Sequence, residues 1–77
     1  MATYHERITA DHRVMLGKPV IKGTRLTVEL LLGKMAQGAT VVDLLAMYPH
    51  LEAADIQAVL EYAAAVAAHE EIIGLRA

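Results

Sequence analysis

Hydrophobic and polar positions change their period once along this chain, near residue 27. Before that point, Tyr4, Glu6 and Ile8 alternate with His5, Arg7 and Thr9. Val14-Met15-Leu16 and Val20-Ile21 then form brief apolar runs separated by Gly17-Lys18-Pro19. Alternation and short runs bounded by Gly and Pro predict two or three short strands. Beyond it, helical spacing takes over. Thr27 precedes Val28, Leu31, Leu32 and Met35, and Gly38 stands where a C-terminal cap belongs, so a first helix is predicted over about 28–37. Thr40 and Asp43 have the spacing of a capping box, Val41, Leu44, Leu45 and Tyr48 share one face, and Pro49 ends a short second helix. The third helix runs from near Ala53 to about Glu71, with Ile56, Val59, Leu60, Ala63 and Ala67 on its inner face.

The pattern predicts one domain over 1–77, mainly α with a short N-terminal β-hairpin: a β-structured arm at 1–26, three helices at 27–71 and a tail at 72–77. The last two helices, joined by Tyr48-Pro49-His50-Leu51, follow the order of a helix-turn-helix unit of homeodomain-like or winged-helix-like type. A plain three-helix packing with no groove-reading role has the same spacing. Seventy-seven residues enclose a small core, so a second copy or a partner is an expected supplement to stability. Open strand edges point the same way, through pairing of the N-terminal segments or packing of the third helices in a homodimer.

Charge divides the chain. Residues 1–34 carry six Lys or Arg against three acids, a balance of +3, whereas residues 35–77 carry Arg76 against six acids, a balance of -5. Such bipolarity argues against a uniform nucleic-acid surface and for two faces with different partners. Lys18, Lys22 and Arg25 are gathered by Gly17, Pro19 and Gly23 just before the first helix, and Lys34 lies on that helix. These four are the candidate phosphate contacts for duplex DNA, with pairing of Arg25 to Glu29 as the structural alternative.

The stretch Gly17-Lys18-Pro19-Val20-Ile21-Lys22-Gly23-Thr24-Arg25-Leu26-Thr27-Val28 is accompanied by Ile8-Thr9, by Gly38-Ala39-Thr40-Val41-Val42-Asp43-Leu44-Leu45, and by Tyr48-Pro49-His50-Leu51. Together these landmarks resemble the domain of unknown function family 433, small prokaryotic proteins often described as antitoxins of VapB type. The resemblance implies a helix-turn-helix-like domain paired with a PIN-like nuclease toxin. It also implies a Ser, Thr or Asp ahead of the third helix, where this chain has Glu52.

A groove-reading helix should offer Arg, Lys, Asn or Gln to base edges. The third helix offers Gln57, and its first turns carry Glu52 and Asp55, followed by Glu61. Its outer side carries Ala54, Ala58, Ala65, Ala68 and Ile72, opposite Ile56, Val59 and Ala63. A helix apolar on both sides is normally buried on both sides, so this stripe is a candidate partner surface; alanine's helix propensity is the plain alternative. In the tail, Arg76 could fork to the carboxylates of a PIN-type site, with Ile72 as an anchor.

Other chemistries find little support. There is no Ser and no Cys, which removes the commonest nucleophiles, disulfides and thiolate metal sites and suits a reducing cytoplasm. His5, His12, His50 and His69 are scattered, so no metal and no cofactor is expected. The Gly-Lys and Gly-Thr pairs lack phosphate-loop spacing. Asp11, Glu29 and Asp43 are expected in capping and ion pairs rather than in a catalytic cleft. No apolar run is long enough for a membrane span, and the first residues lack a signal peptide's apolar core. The sequence thus points to a cytoplasmic, non-enzymatic antitoxin that neutralises a PIN-like ribonuclease and binds its own promoter DNA. The alternative is a stand-alone DNA-binding module or a structural homodimeric interaction protein.

Overall fold

The computed structural model describes residues 4–74, with side-chain surroundings given through His69. Two short strands, β1 (Ile8–Thr9) and β2 (Val20–Ile21), pair antiparallel, Ile8 opposite Ile21 and Thr9 opposite Val20. Three helices follow: α1 (Val28–Ala36), α2 (Val41–Met47) and α3 (Ala53–Gly74). This is the mainly helical domain with an N-terminal hairpin that the periodicity predicts.

Two segments expected as strands are turns. Tyr4–Glu6 is a single 3₁₀ turn. Val14-Met15-Leu16 bends because Asp11 starts a turn beneath it: its side chain accepts from the Arg13 N–H at 2.9 Å, and its carbonyl accepts from the Val14 N–H at 2.8 Å. Met15, Leu16 and Gly17 then adopt φ of 50°, 59° and 85° in succession. The two non-glycine residues occupy a left-handed region that costs about 1–2 kcal/mol each. β2, by contrast, is held on both sides, by β1 and by a bridge from Val20 to Thr27. The Ile21 N–H donates to the Leu26 carbonyl at 2.9 Å, and Thr24 fastens the intervening loop, donating to the Ile21 carbonyl and accepting from the Leu26 N–H.

The helix ends follow their side-chain chemistry. Thr27 accepts from the Leu30 N–H at 3.0 Å and starts α1. At the other end Gly38, at φ 107°, donates to the Met35 carbonyl while Ala39 donates to Lys34, the paired closure that a left-handed glycine permits. Thr40 and Asp43 form the reciprocal capping box of α2, at 2.8 and 3.1 Å. Bonding from Thr40, its backbone N–H first and its side chain second, holds the Asp43 carboxyl below its ordinary range. A group lowered in the folded state adds stability that is present above its unfolded value and lost as pH falls through its folded one. The urea midpoint is therefore expected to drop between pH 7 and about pH 3, and the drop should be shallower in Asp43→Ala, which lacks the linkage.

The core lies where α1, α2 and the first half of α3 meet the sheet. Leu31, Leu44, Ile56 and Val59 are fully enclosed, with Ile8, Ile21, Val28 and Leu51 around them. At about 1.5 Å per residue, the 22 residues of α3 extend roughly 33 Å, more than this core can cover. From Ala64 through His69 every residue is exposed. The radius of gyration, 13.0 Å, accordingly exceeds the roughly 11.5 Å of a compact chain this long. No described helix is long and apolar enough to cross a membrane.

Candidate partner and nucleic-acid surfaces

The N-terminal arm is tied to α3 by a charge cluster. Arg7, between the first turn and β1, donates to Asp55 at 2.9 Å and to Glu52 at 3.0 Å. The Asp55 side chain is only 9% exposed, and its second oxygen accepts from the Glu52 N–H at 2.9 Å. Asp55 thereby supplies the backbone-capping half of a capping box and offsets the unfavourable Glu52 at the cap position. Bonding to Asp55 first and Glu52 second raises the Arg7 pKa above its ordinary value. Just outside this cluster, Tyr4 meets Tyr62 edge-on at a ring separation of 5.5 Å. The arm thus lies along the first turns of α3, the part that a groove-reading helix would need to expose.

The four candidate cations occupy separate places. Lys18 and Lys34 line one open groove of about 450 Å³ along α1, with Glu29, Leu30, Gly33 and Gln37. Within it Lys18 donates to Glu29 at 2.8 Å, so Glu29 pairs with Lys18 and not with Arg25. This bond holds the Glu29 carboxyl below its ordinary range. Lys22 and Arg25 flank the Gly23 loop on opposite sides: Lys22 beside Glu6, Arg7 and Asp55, Arg25 beside Thr9, Asp11 and Val14. Among the described residues, neither Lys22, Arg25 nor Lys34 makes an ion pair. Gly23 has φ 81° and nothing within 4 Å of an added Cβ, so it serves the turn and leaves room beside the two cations.

Of the expected alanine stripe on α3, Ala54, Ala65 and Ala68 are exposed and Ala58 is not. Ala58 is 2% exposed and belongs to the core. The buried face is centred on Asp55, Val59 and Tyr62, and Ala58 stands three residues from the first and four before the last, beneath the arm. That rotation of the face also leaves Leu60, expected inside, exposed, whereas Ala67, likewise expected inside, is exposed because it lies beyond the core. The side chain of Ile72, and Arg76 altogether, lie outside the described residues. Asp11 is taken by Arg13 at 2.9 Å, and among the described residues no three His, Asp or Glu come together to hold a metal ion.

Arg7 and Asp55 carry no sequence signal of their own, standing 48 residues apart. Leu16 was equally hidden: it reads as part of a brief apolar strand, yet it is 92% exposed at the crest of the left-handed turn.

The hairpin, the capped helix pair and the loop between them coincide with a recognised unit. The chain matches the family described as "Protein of unknown function (DUF433)" over residues 8–63, well over half its length, and belongs to it. No curated protein and no solved structure matches the chain. The matched region ends at Ala63, and the exposed run from Ala64 through His69 lies beyond it.

Proposed function

We propose that this chain is a cytoplasmic antitoxin that neutralises a PIN-like ribonuclease and itself catalyses nothing. The observation that carries this reading is the distal part of α3, where Ala65 and Ala68 stand exposed on a helix that leaves its own core. Small side chains let another backbone approach closely, and an apolar helical stripe suits a groove on a partner. The direct experiment adds the purified chain to a PIN-type nuclease, should one be encoded beside it, and follows RNA cleavage. Inhibition complete at a fixed molar ratio is the expected result; undiminished cleavage at excess would dismiss the reading.

Binding of promoter DNA is the second part of the proposal, and the unpaired Lys22 and Arg25 on the Gly23 loop favour it. Contact through this loop suits the molecule better than entry by α3, whose first turns carry the exposed Glu52 and the overlying arm. Each lysine or arginine that neutralises a phosphate contributes about one unit to the slope of log affinity against log salt. Lys22→Ala and Arg25→Ala should therefore each lower that slope by about one, while Lys18→Ala, already paired to Glu29, should change it less. An unchanged slope in the Lys22→Ala/Arg25→Ala double variant would remove the loop from the DNA contact.

A further inference from the structure

We propose that Leu16 is a wedge that enters the minor groove of duplex DNA, parts one base step and bends the duplex; the proposal rests on the DNA-binding part of the function. A single exposed leucine is ordinary, but this one is 92% exposed on a turn that is costly to hold. Met15 and Leu16 both take left-handed backbone angles, φ 50° and 59°, which residues with a Cβ resist. Turns with such angles ordinarily use glycine, asparagine or aspartate. Here the strain lifts an apolar side chain into water, and that side chain is no part of the core.

The turn is braced at both feet. Asp11 accepts from the Arg13 backbone N–H and from its guanidinium, each at 2.9 Å. The Gly17 N–H donates to the Val14 carbonyl at 3.0 Å, and the Lys18 N–H donates to the Met15 carbonyl at 3.1 Å. Beneath the crest, the Cα of His12 lies 3.5 Å from where a Cβ on Gly17 would stand, so the turn is seated against the segment before it. A side chain that parts stacked bases must be held in place while it does so, and this bracing supplies the hold.

Charge on the two flanks of the crest identifies what it meets. Val14, at one foot, lines the hollow that holds Arg25; Lys18, at the other, lines the α1 groove that holds Lys34. Among the described residues neither Arg25 nor Lys34 makes an ion pair, so the apolar crest stands between two open cations. From His12 to Val28 the chain carries four Lys or Arg and no acid, and the acids at its two borders, Asp11 and Glu29, are taken by Arg13 and Lys18. A minor groove has the matching form, stacked bases at its floor and a phosphate backbone along each wall. Phosphates on both walls would neutralise Arg25 and Lys34, whereas an apolar protein pocket closing on Leu16 would desolvate them without partners. TA steps unstack most readily, so the fitting substrate is an A·T-rich duplex that contains them.

The test is ring closure by DNA ligase of a linear duplex of about 100 bp with cohesive ends, shorter than the persistence length and carrying TA steps once per helical turn. Binding to the same duplex is followed by fluorescence anisotropy over a salt series, and the full-length proteins are compared at matched occupancy. The wild type should bind and raise the rate of ring closure at least about tenfold. Leu16→Ala should lose that increase while keeping the wild-type salt slope, because no charge is removed. Leu16→Met, which keeps an apolar wedge, should retain it. The urea midpoint of Leu16→Ala should match the wild type's, since Leu16 lies outside the core. Binding by the wild type without faster ring closure would overturn the wedge and leave DNA binding standing. So would an increase that Leu16→Ala preserves, which assigns the crest to a protein partner, or one that Leu16→Met abolishes. Failure of the wild type to bind the duplex at all would remove the DNA reading and the wedge with it.

Discussion

Leu31→Ala is expected to cost about 3 kcal/mol and to leave much of the chain unfolded under mild denaturant. Leu31 is fully enclosed on α1, facing Leu44, Ile56 and Val59. Truncation removes its transfer free energy and opens a cavity that three helix backbones cannot readily close. A domain of this size holds only roughly 4–12 kcal/mol in total, so the loss is a large fraction of it. Leu30→Ala, one residue away on the outer face, should cost far less. Urea titration of the two variants gives the comparison, and equal midpoints would contradict the placement of the core.

The second large effect is expected at Asp55. Replacing it with Ala removes the acceptor for the Glu52 N–H and the buried end of the bond to Arg7, for a combined loss of about 2 kcal/mol. In a domain this small that corresponds to a fall of roughly 10 °C in Tm. The arm should loosen with it, because Arg7 ties the arm to α3 through Asp55 and Glu52. In a double-mutant cycle, Arg7→Ala should add little once Asp55 is gone. Full additivity of the two substitutions would mean that they act separately.

These two sites differ in how far the sequence reveals them. Leu31 was legible because it recurs at helical spacing after Thr27, and Thr27, Gly38 and the Thr40–Asp43 box act on neighbours within about four residues. Such short-range chemistry can be read along a chain. The strand expected at Val14–Leu16 failed for a related reason: the turn begun by Asp11 and completed by Gly17 overrides the β preference of the residues between them. Arg7 and Asp55 were not legible, since only the closed fold brings them together. Ala58 was misplaced because the buried face of α3 is fixed by what lies on it. Tyr4 and Tyr62 turn that face toward the arm, which no period within α3 can foretell. Among the candidate cations, the fold separates Lys18, paired with Glu29, from Lys22 and Arg25, which the sequence treats as equals.

We propose that Ala65 and Ala68, exposed on α3 beyond the core, form the surface that holds the ribonuclease. Both positions lie beyond the core, so glutamate there should leave the helix and the domain intact while placing charge in a desolvated contact. The measurement is inhibition of RNA cleavage by the proposed PIN-type partner, titrated with wild type and with the Ala65→Glu/Ala68→Glu double variant at matched helical content. The variant is expected to require at least about a hundredfold more protein for half inhibition. Equal inhibition by the two proteins would contradict it.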